Sequence, residues 1–362
     1  MGEQVRYGLV GAGMMGVEHI TNLAITPGAV ITALADPTGT SIDWSMKALG
    51  EKGASVATFG TAEELAKSGL CDAVIVASPN YTHRMVLEPL FDAALNILCE
   101  KPIATTIEDA RWIVDRAEAS DKVFWTAMEY RYMPPAADFI REIHDGRIGK
   151  LQMLSIREHR FPFLEKVADW NRFSRNTGGT MVEKCCHFFD LMRLVTGAEA
   201  VRVYCSGAMD VNHLDERYDG ETPDIIDNSY TTVDFSNGVR AMLDLSMFAD
   251  GAENQEEITA VGDKARLDVL IPEGAIVYSP RVGFRNDKKV ERRVVEVDQA
   301  ALDAGSHHGS TFYEHQKFNA AVRGEGAVEV TARDGLMAVA IGTAAEISAR
   351  EHRVVEMSEL GF

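Results

Sequence analysis

The sequence predicts an α/β fold: a doubly wound parallel sheet followed by a second α/β domain with a large, open, mainly antiparallel sheet. Three observations predict it. Short apolar β-forming runs alternate with helical patterns through the first third of the chain, as in parallel sheets with helices on both faces. The first run, Val5–Val10, leads straight into glycines at 11, 13 and 16 and then a helical pattern. After about residue 125 alternating strand patterns dominate, with Asn237-Gly238 between two of them as a hairpin signal. The expected division is therefore 1–125 and 126–362, with the C-terminal helix able to pack back on the first domain.

In chain order, strands are expected at residues 5–10, 30–35, 54–59, 73–77, 97–99 and 123–127, with helices near 15–25, 41–49, 62–68, 81–95 and 107–119. Thr61 and Glu64 have capping-box spacing. Beyond them, a helix near 135–144 precedes a strand at 151–159, an aromatic and arginine-rich loop at 161–178 and a helix at 180–195. Strand patterns follow at 200–206, 229–235, 239–248, 257–261, 266–270, 275–278 and 293–297, and helical periodicity returns at 310–322 and 332–350. One face of this second sheet should pack on helices. The other should be flat and partly apolar, which suggests an oligomer interface.

With 362 residues the chain can bury two large cores, and 46% apolar with 25% charged residues is ordinary for a globular protein. A formal net charge of −19 argues against nucleic acid and anionic membranes as partners. No apolar run approaches the roughly 18 residues that span a bilayer, and no secretory signal pattern is seen. Five cysteines, an odd and sparse set, fit reduced thiols in the cytoplasm.

The glycines carry the first chemistry. Gly11 permits a tight turn out of the strand, Gly13 lets backbone approach a pyrophosphate, and Gly16 lets the next helix pack close. The helix start offers N–H groups and a positive dipole end to phosphates. Asp36, closing the second strand pattern, can accept hydrogen bonds from both ribose hydroxyls of NAD, and Pro37 follows it where a basic residue would favour a 2′-phosphate. Ligands of such sheets bind beyond the carboxyl ends of the strands, which groups Gly11–Gly16 and Asp36 with residues 78–83 and 100–102.

Lys101 falls at such an end, where burial and a positive nicotinamide would lower its pKa and let it stabilise an alkoxide-like oxygen. A surface lysine in a polar turn satisfies the same spacing. Glu183 and His187 are i and i+4 on the expected helix, and His187 and Asp190 are i and i+3; histidine is the usual base near neutral pH. A core helix with one satisfied histidine fits that spacing too. Metal is disfavoured, because consecutive Cys185 and Cys186 point to different faces and cannot both join Glu183 and His187. His307, His308 and His315 read first as loop histidines, with His308 a candidate substrate contact. Trp125, Tyr130, Arg131, Arg160, Trp170, Asn171 and Arg172 suit a hydroxylated or acidic ring, and equally suit a contact between domains.

Taken together, GAGMMG (11–16), SPNYTH (78–83), CEKP (99–102), GGT…E…H..D (178–190) and TARDGLMA near the C-terminus span the whole chain in order. In these motifs the sequence resembles the Gfo/Idh/MocA oxidoreductases, relatives of glucose–fructose oxidoreductase and inositol dehydrogenase. The resemblance implies an N-terminal Rossmann domain and a C-terminal domain whose open sheet assembles dimers or tetramers. It implies NAD held by Gly11, Gly13, Met14, Met15, Gly16, Asp36, Ser78, Asn80, His83, Glu100 and Lys101. It implies Lys101 beside nicotinamide and substrate, His187 as acid/base and Glu183 in a substrate-contacting position where Asp is commoner. Arg160, Trp170, Arg172 and His308 are the candidate substrate contacts. The activity implied is hydride transfer between NAD(H) and a secondary alcohol of a sugar, inositol or related polyol. Alternatives are an NAD-assisted epimerase or glycoside-cleaving enzyme without net redox, and a non-catalytic sugar or dinucleotide sensor.

Overall fold

β1 (Val5–Val10) runs into α1 (Met14–Ala24), and the alternation continues through β2 (Ala29–Ala35), α2 (Gly39–Leu49), β3 (Ala57–Phe59), α3 (Ala62–Lys67), β4 (Ala73–Val76), α4 (His83–Asp92), β5 (Asn96–Glu100), α5 (Ile107–Glu118) and β6 (Phe124–Ala127). This is a computed structural model, and it describes residues 4–305 and 307–362. The six strands pair in parallel in the order β3-β2-β1-β4-β5-β6. β4 is buried at every position, as an interior strand covered on both faces must be. Both halves of the Thr61–Glu64 capping box form and start α3. β3 and α4 start two to three residues later than expected. Residues Gly50–Ser55 form a 3-10 turn ahead of β3, and the 3-10 turn Asn80–Thr82 delays α4 to His83.

The remaining elements are α6 (Pro134–His144), β7 (Leu151–His159), α7 (Ser174–Thr177), α8 (Thr180–Glu183), α9 (Cys186–Thr196), β8 (Ala200–Ala208), β9 (Asn228–Phe235), β10 (Arg240–Ser246), β11 (Glu256–Gly262), β12 (Ala265–Ile271), β13 (Ala275–Pro280), β14 (Glu291–Val294), α10 (Gln299–Asp303), α11 (Ser310–Val322), α12 (Ala332–Glu351) and β15 (Val355–Glu356). Nine strands form a mixed sheet in the order β14-β13-β12-β11-β7-β10-β9-β8-β15, antiparallel except for the β7–β10 pair. The hairpin at Asn237-Gly238 joins β9 to β10, with Gly238 at φ +87° and Asn237 Oδ1 accepting from Val239 N. α6 packs on β12 and β13 and α9 on β7. Met153, Tyr204, Tyr230 and Met242 on strands of this sheet remain exposed. β15 was not anticipated, because two residues are too short to show a period.

One expected element is broken. The helix anticipated over 180–195 is two pieces, α8 and α9, separated at Lys184-Cys185. Cys185 N bonds to Thr180 O, five residues back, so the turn is widened where Lys184 reaches a buried carboxylate. Glu183 and His187 therefore do not lie on one continuous helix.

The chain folds into two compact units. The first comprises Met1–Tyr132, Lys166–Trp170 and Asp298–Val339; the second comprises Met133–Glu165, Asn171–Val297 and Ala340–Phe362. Among the described residues, no helix is long and apolar enough to cross a membrane.

Candidate active site

In the first unit the strand order reverses between β1 and β4, where ligands of doubly wound sheets bind. The glycine turn sits there. Gly11 has φ +96°, and a Cβ on it would lie 2.5 Å from the backbone of Ala77 and Ser78, so the loops after β1 and β4 touch. A Cβ on Gly16 would collide with the Gly11 carbonyl. Gly13, the residue before α1, differs: a Cβ there meets nothing within 4 Å. Its side is open to a ligand. Met14 is exposed and Met15 half-buried at the helix start.

Asp36 is fixed by backbone donors. Its Oδ2 accepts from Ala12 N at 2.8 Å and its Oδ1 from Thr38 N at 2.7 Å. A carboxylate has about four lone-pair sites, so each oxygen keeps capacity for one ribose hydroxyl. In the Ser78 turn, Ser78 Oγ bonds Thr82 Oγ1 at 2.8 Å. Asn80 is buried, and its Nδ2 has no hydrogen-bond partner among the described residues. His83 is wholly buried and engages two backbone carbonyls, Ser78 O at 3.1 Å and Ile103 O at 3.2 Å, which ties the Ser78 turn to the segment after β5. Burial holds His83 below the ordinary histidine range. An open glycine, an anchored carboxylate with spare lone pairs and an unpartnered buried amide fit a dinucleotide.

At the end of β5, Glu100 is buried and Lys101 half-buried. Glu100 Oε2 accepts from Lys101 N at 3.1 Å. Trp125 is not available to line a pocket: it is fully buried, its Nε1 donating to Glu314 Oε1 at 3.1 Å and its ring 6.2 Å from Phe318. Arg131 donates to Glu329 O, and Trp170 meets Tyr81 edge to face. His308 precedes α11 with φ +53°.

In the second unit Glu183 ends α8 and His187 lies in the first turn of α9, both buried. The preceding Gly178-Gly179 turn has positive φ at both residues. A Cβ on Gly179 would strike the Glu346 carboxyl, whose Oε1 accepts from Met181 N at 2.9 Å. Burial pushes Glu346 up to about 7. Arg160 stacks on Phe161 and reaches Glu158 Oε1 at 3.4 Å. Arg172 is buried, its Nε donating to Glu216 Oε2 at 2.9 Å and its Nη1 to Asn171 Oδ1 at 3.2 Å. Those guanidinium donors are thus committed within the unit.

The comparisons with known proteins match this architecture. A model described as "Oxidoreductase family, NAD-binding Rossmann fold" covers residues 5–128, and its companion, "Oxidoreductase family, C-terminal alpha/beta domain", covers residues 140–357. The chain belongs to the Gfo/Idh/MocA oxidoreductase family. It is thus an NAD-binding oxidoreductase. Among its Gfo/Idh/MocA relatives, myo-inositol 2-dehydrogenase of Thermotoga maritima is 25% identical over 359 residues, 98% of this chain and 99% of the relative. Inositol 2-dehydrogenase of Rhizobium meliloti is 26% identical over 360 residues, again 98% and 99%. A solved levoglucosan dehydrogenase in complex with NADH shares the fold, with a TM-score of 0.84 at 19% identity over 98% of this chain and 99% of that one.

Several buried ionisable groups of this Gfo/Idh/MocA chain were not singled out from sequence: His19, Glu129, Glu158, Lys184, Glu256 and Glu314. Some left a signal. Glu158 shares the β7 face of Leu154 and Ile156, and Glu256 shares that of Ile258 and Ala260, so strand parity alone puts both carboxyls on the buried side. They are opposite one another across β7 and β11. Lys184 Nζ lies 2.9 Å from Glu158 Oε1. Burial, then the Glu158 charge, pushes Glu256 up to about 8.

Proposed function

We propose that this chain oxidises a secondary alcohol of an inositol or a related sugar or polyol. The observation that carries the substrate class is the full-length similarity to two inositol 2-dehydrogenases. NAD, when bound, supplies the hydride acceptor. It would be held by the Gly11–Gly16 turn, by Asp36 on the ribose hydroxyls, and by the Ser78–His83 and Glu100 segments. In this reading Lys101 donates a hydrogen bond to the substrate oxygen, His187 takes the hydroxyl proton, and Glu183 orients substrate and imidazole. General-base help of this kind is worth roughly 10²–10⁴ in rate.

The exposed sheet face bearing Met153, Tyr204, Tyr230 and Met242 suits a second copy of the chain, so the protein is read as a homodimer or homotetramer. Light scattering should give a mass at least twice that of the chain. All five cysteines are buried free thiols, which suits a reducing compartment such as the cytoplasm.

The test is NAD⁺ reduction across inositols, aldoses, polyols and glycosides, for the wild type and Lys101→Met. Turnover of a cyclic polyol is expected, with kcat falling about 10²-fold or more in the variant. Full turnover by the variant would remove Lys101 from the chemistry. Product formed without net NADH would replace dehydrogenation by transient oxidation, as in epimerisation or glycoside cleavage.

A further inference from the structure

The second unit carries a cationic projection on an acidic protein. Residues 281–290, the hairpin tip between β13 and β14, hold Arg281, Arg285, Lys288 and Lys289 against Asp287 alone, in a chain of net charge −19. Arg285, Lys288 and Lys289 are exposed, and among the described residues they have no carboxylate partner. The arginines of the adjoining β14 are paired: Arg292 with Glu273, and Arg293 with Asp138 and Glu142. Phe284 at the tip is wholly exposed, and Val290 is half-exposed. An uncovered phenylalanine among unpaired cations has the composition of a contact surface.

The same unit holds a complementary surface. The 210–227 loop between β8 and β9 has seven acids against Arg217. It is pinned in place. Glu216 accepts from Arg172 at 2.9 Å, Asp224 from Ser174 N at 2.6 Å, and Asp227 from the backbone of residues 210–212. Asp215 and Asp219 stay outside this scheme: both are exposed and have no cationic partner among the described residues. Beside them Val211 and Leu214 are exposed. Anions and apolar side chains on the loop match cations and apolar side chains on the tip, on a seat already ordered before binding.

One chain cannot join its own two surfaces. β7 and β10 are parallel and every other neighbouring pair in this sheet is antiparallel, so β8 runs with β7 and β13 runs against it. The loop therefore leaves the sheet where β7 ends, and the tip leaves it where β7 begins. Five strands separate β8 from β13, which is about 29 Å across the sheet at about 4.8 Å per strand. A hairpin of about ten residues extends at most about 17 Å. Opposite corners of one sheet can meet in a second copy. A two-fold axis along the exposed face, perpendicular to the line through the corners, lays each tip on the other copy's loop, and both contacts form at once.

We propose that the 281–290 tip docks on the 210–227 loop of a second copy of this chain, with Phe284 against Val211 and Leu214, and Arg285, Lys288 and Lys289 facing Asp215 and Asp219. This rests on the reading of the protein as a homo-oligomer and goes beyond the sheet face by naming the corners that set how one sheet lies on the other. The charged part of the contact weakens with salt, because the screening length shortens from about 10 Å at 0.1 M to about 3 Å at 1 M.

The experiment measures self-association of the full chain by sedimentation equilibrium for wild type, K288E/K289E, D215N/D219N and the two sets combined, with urea midpoints as the control for folding. An exposed ion pair is worth up to about fivefold in an equilibrium constant. Reversing two lysines should therefore raise the dissociation constant at least about tenfold, and neutralising two aspartates at least about threefold. The combination should raise it by less than the product, because both sets remove the same interaction. The contact itself is mapped with Phe284→p-benzoylphenylalanine, irradiated, digested and read by mass spectrometry. The photoproduct should join residue 284 of one chain to a peptide from 210–227 of another. Unchanged association of folded K288E/K289E, or a photoproduct that joins residue 284 to any other region, overturns the proposal and leaves the homo-oligomer standing. A wild type that stays monomeric at every concentration overturns both.

Discussion

Replacing Asp36 by serine should collapse the choice between NADH and NADPH. In the wild type both carboxylate oxygens are locked by backbone donors, Ala12 N at 2.8 Å and Thr38 N at 2.7 Å, leaving one acceptor site on each for the ribose. Two hydrogen bonds to a charged acceptor contribute about 1.5–3 kcal/mol each. Even at the low end, losing both weakens NADH about 10²-fold. A 2′-phosphate at contact distance from Asp36 meets a repulsion of about 4 kcal/mol per charge pair at an effective dielectric near 20, roughly halved where solvent reaches it. Removing the carboxylate should therefore tighten NADPH by about 10- to 100-fold, a combined swing of about 10³–10⁴ in selectivity. NADH and NADPH fluorescence titrations of wild type and D36S measure it, with unfolding midpoints as the control for the turn. A wild type that binds NADPH as tightly as NADH would refute the reasoning, as would a folded D36S that keeps its preference for NADH.

Two further predictions concern the turn and the second sheet. Gly13→Ala should leave the unfolding midpoint unchanged, because nothing lies within 4 Å of the new Cβ, yet weaken NADH at least about tenfold by intruding on the phosphates. Gly16→Ala should instead cost about 1–3 kcal/mol of stability through collision with the Gly11 carbonyl; equal behaviour of the two variants in urea unfolding and NADH titration would contradict these separate roles. Glu256, raised from 4.5 to about 8, stabilises the fold fully only below the ordinary carboxyl range and loses that contribution as pH climbs through its folded value. Glu256→Gln should thus gain on the order of 3 kcal/mol relative to wild type between pH 5.5 and 8.5. A gap between the two proteins that is the same at both pH values in urea unfolding would dismiss it.

What was legible in the sequence was local. The glycine turn, Asp36 and the Thr61 capping box depend on neighbours within a few residues, and Asn237-Gly238 sets its hairpin by backbone conformation alone. What was not legible depends on distant partners. Nothing near His19 announces His315, 296 residues on. The break between α8 and α9 answers to Glu158, on a strand that ends before the helices begin. Trp125 looked like pocket lining because an aromatic beside a strand end has that chemistry, but Glu314 and Phe318 on α11 enclose it.

The way the chain is dealt out between the two units bears on how it can be dissected. Residues Asp298–Val339 complete the unit that begins at the N-terminus, and α12 starts in that unit and ends in the other. Tyr7 on β1 donates to Asn319 on α11, and Trp125 on β6 to Glu314. A fragment stopped after β6 would leave those groups facing water with their partners deleted. The nucleotide-binding half is therefore no excisable cassette, and a gene fusion or truncation that treats it as one should yield aggregate in place of a free-standing domain.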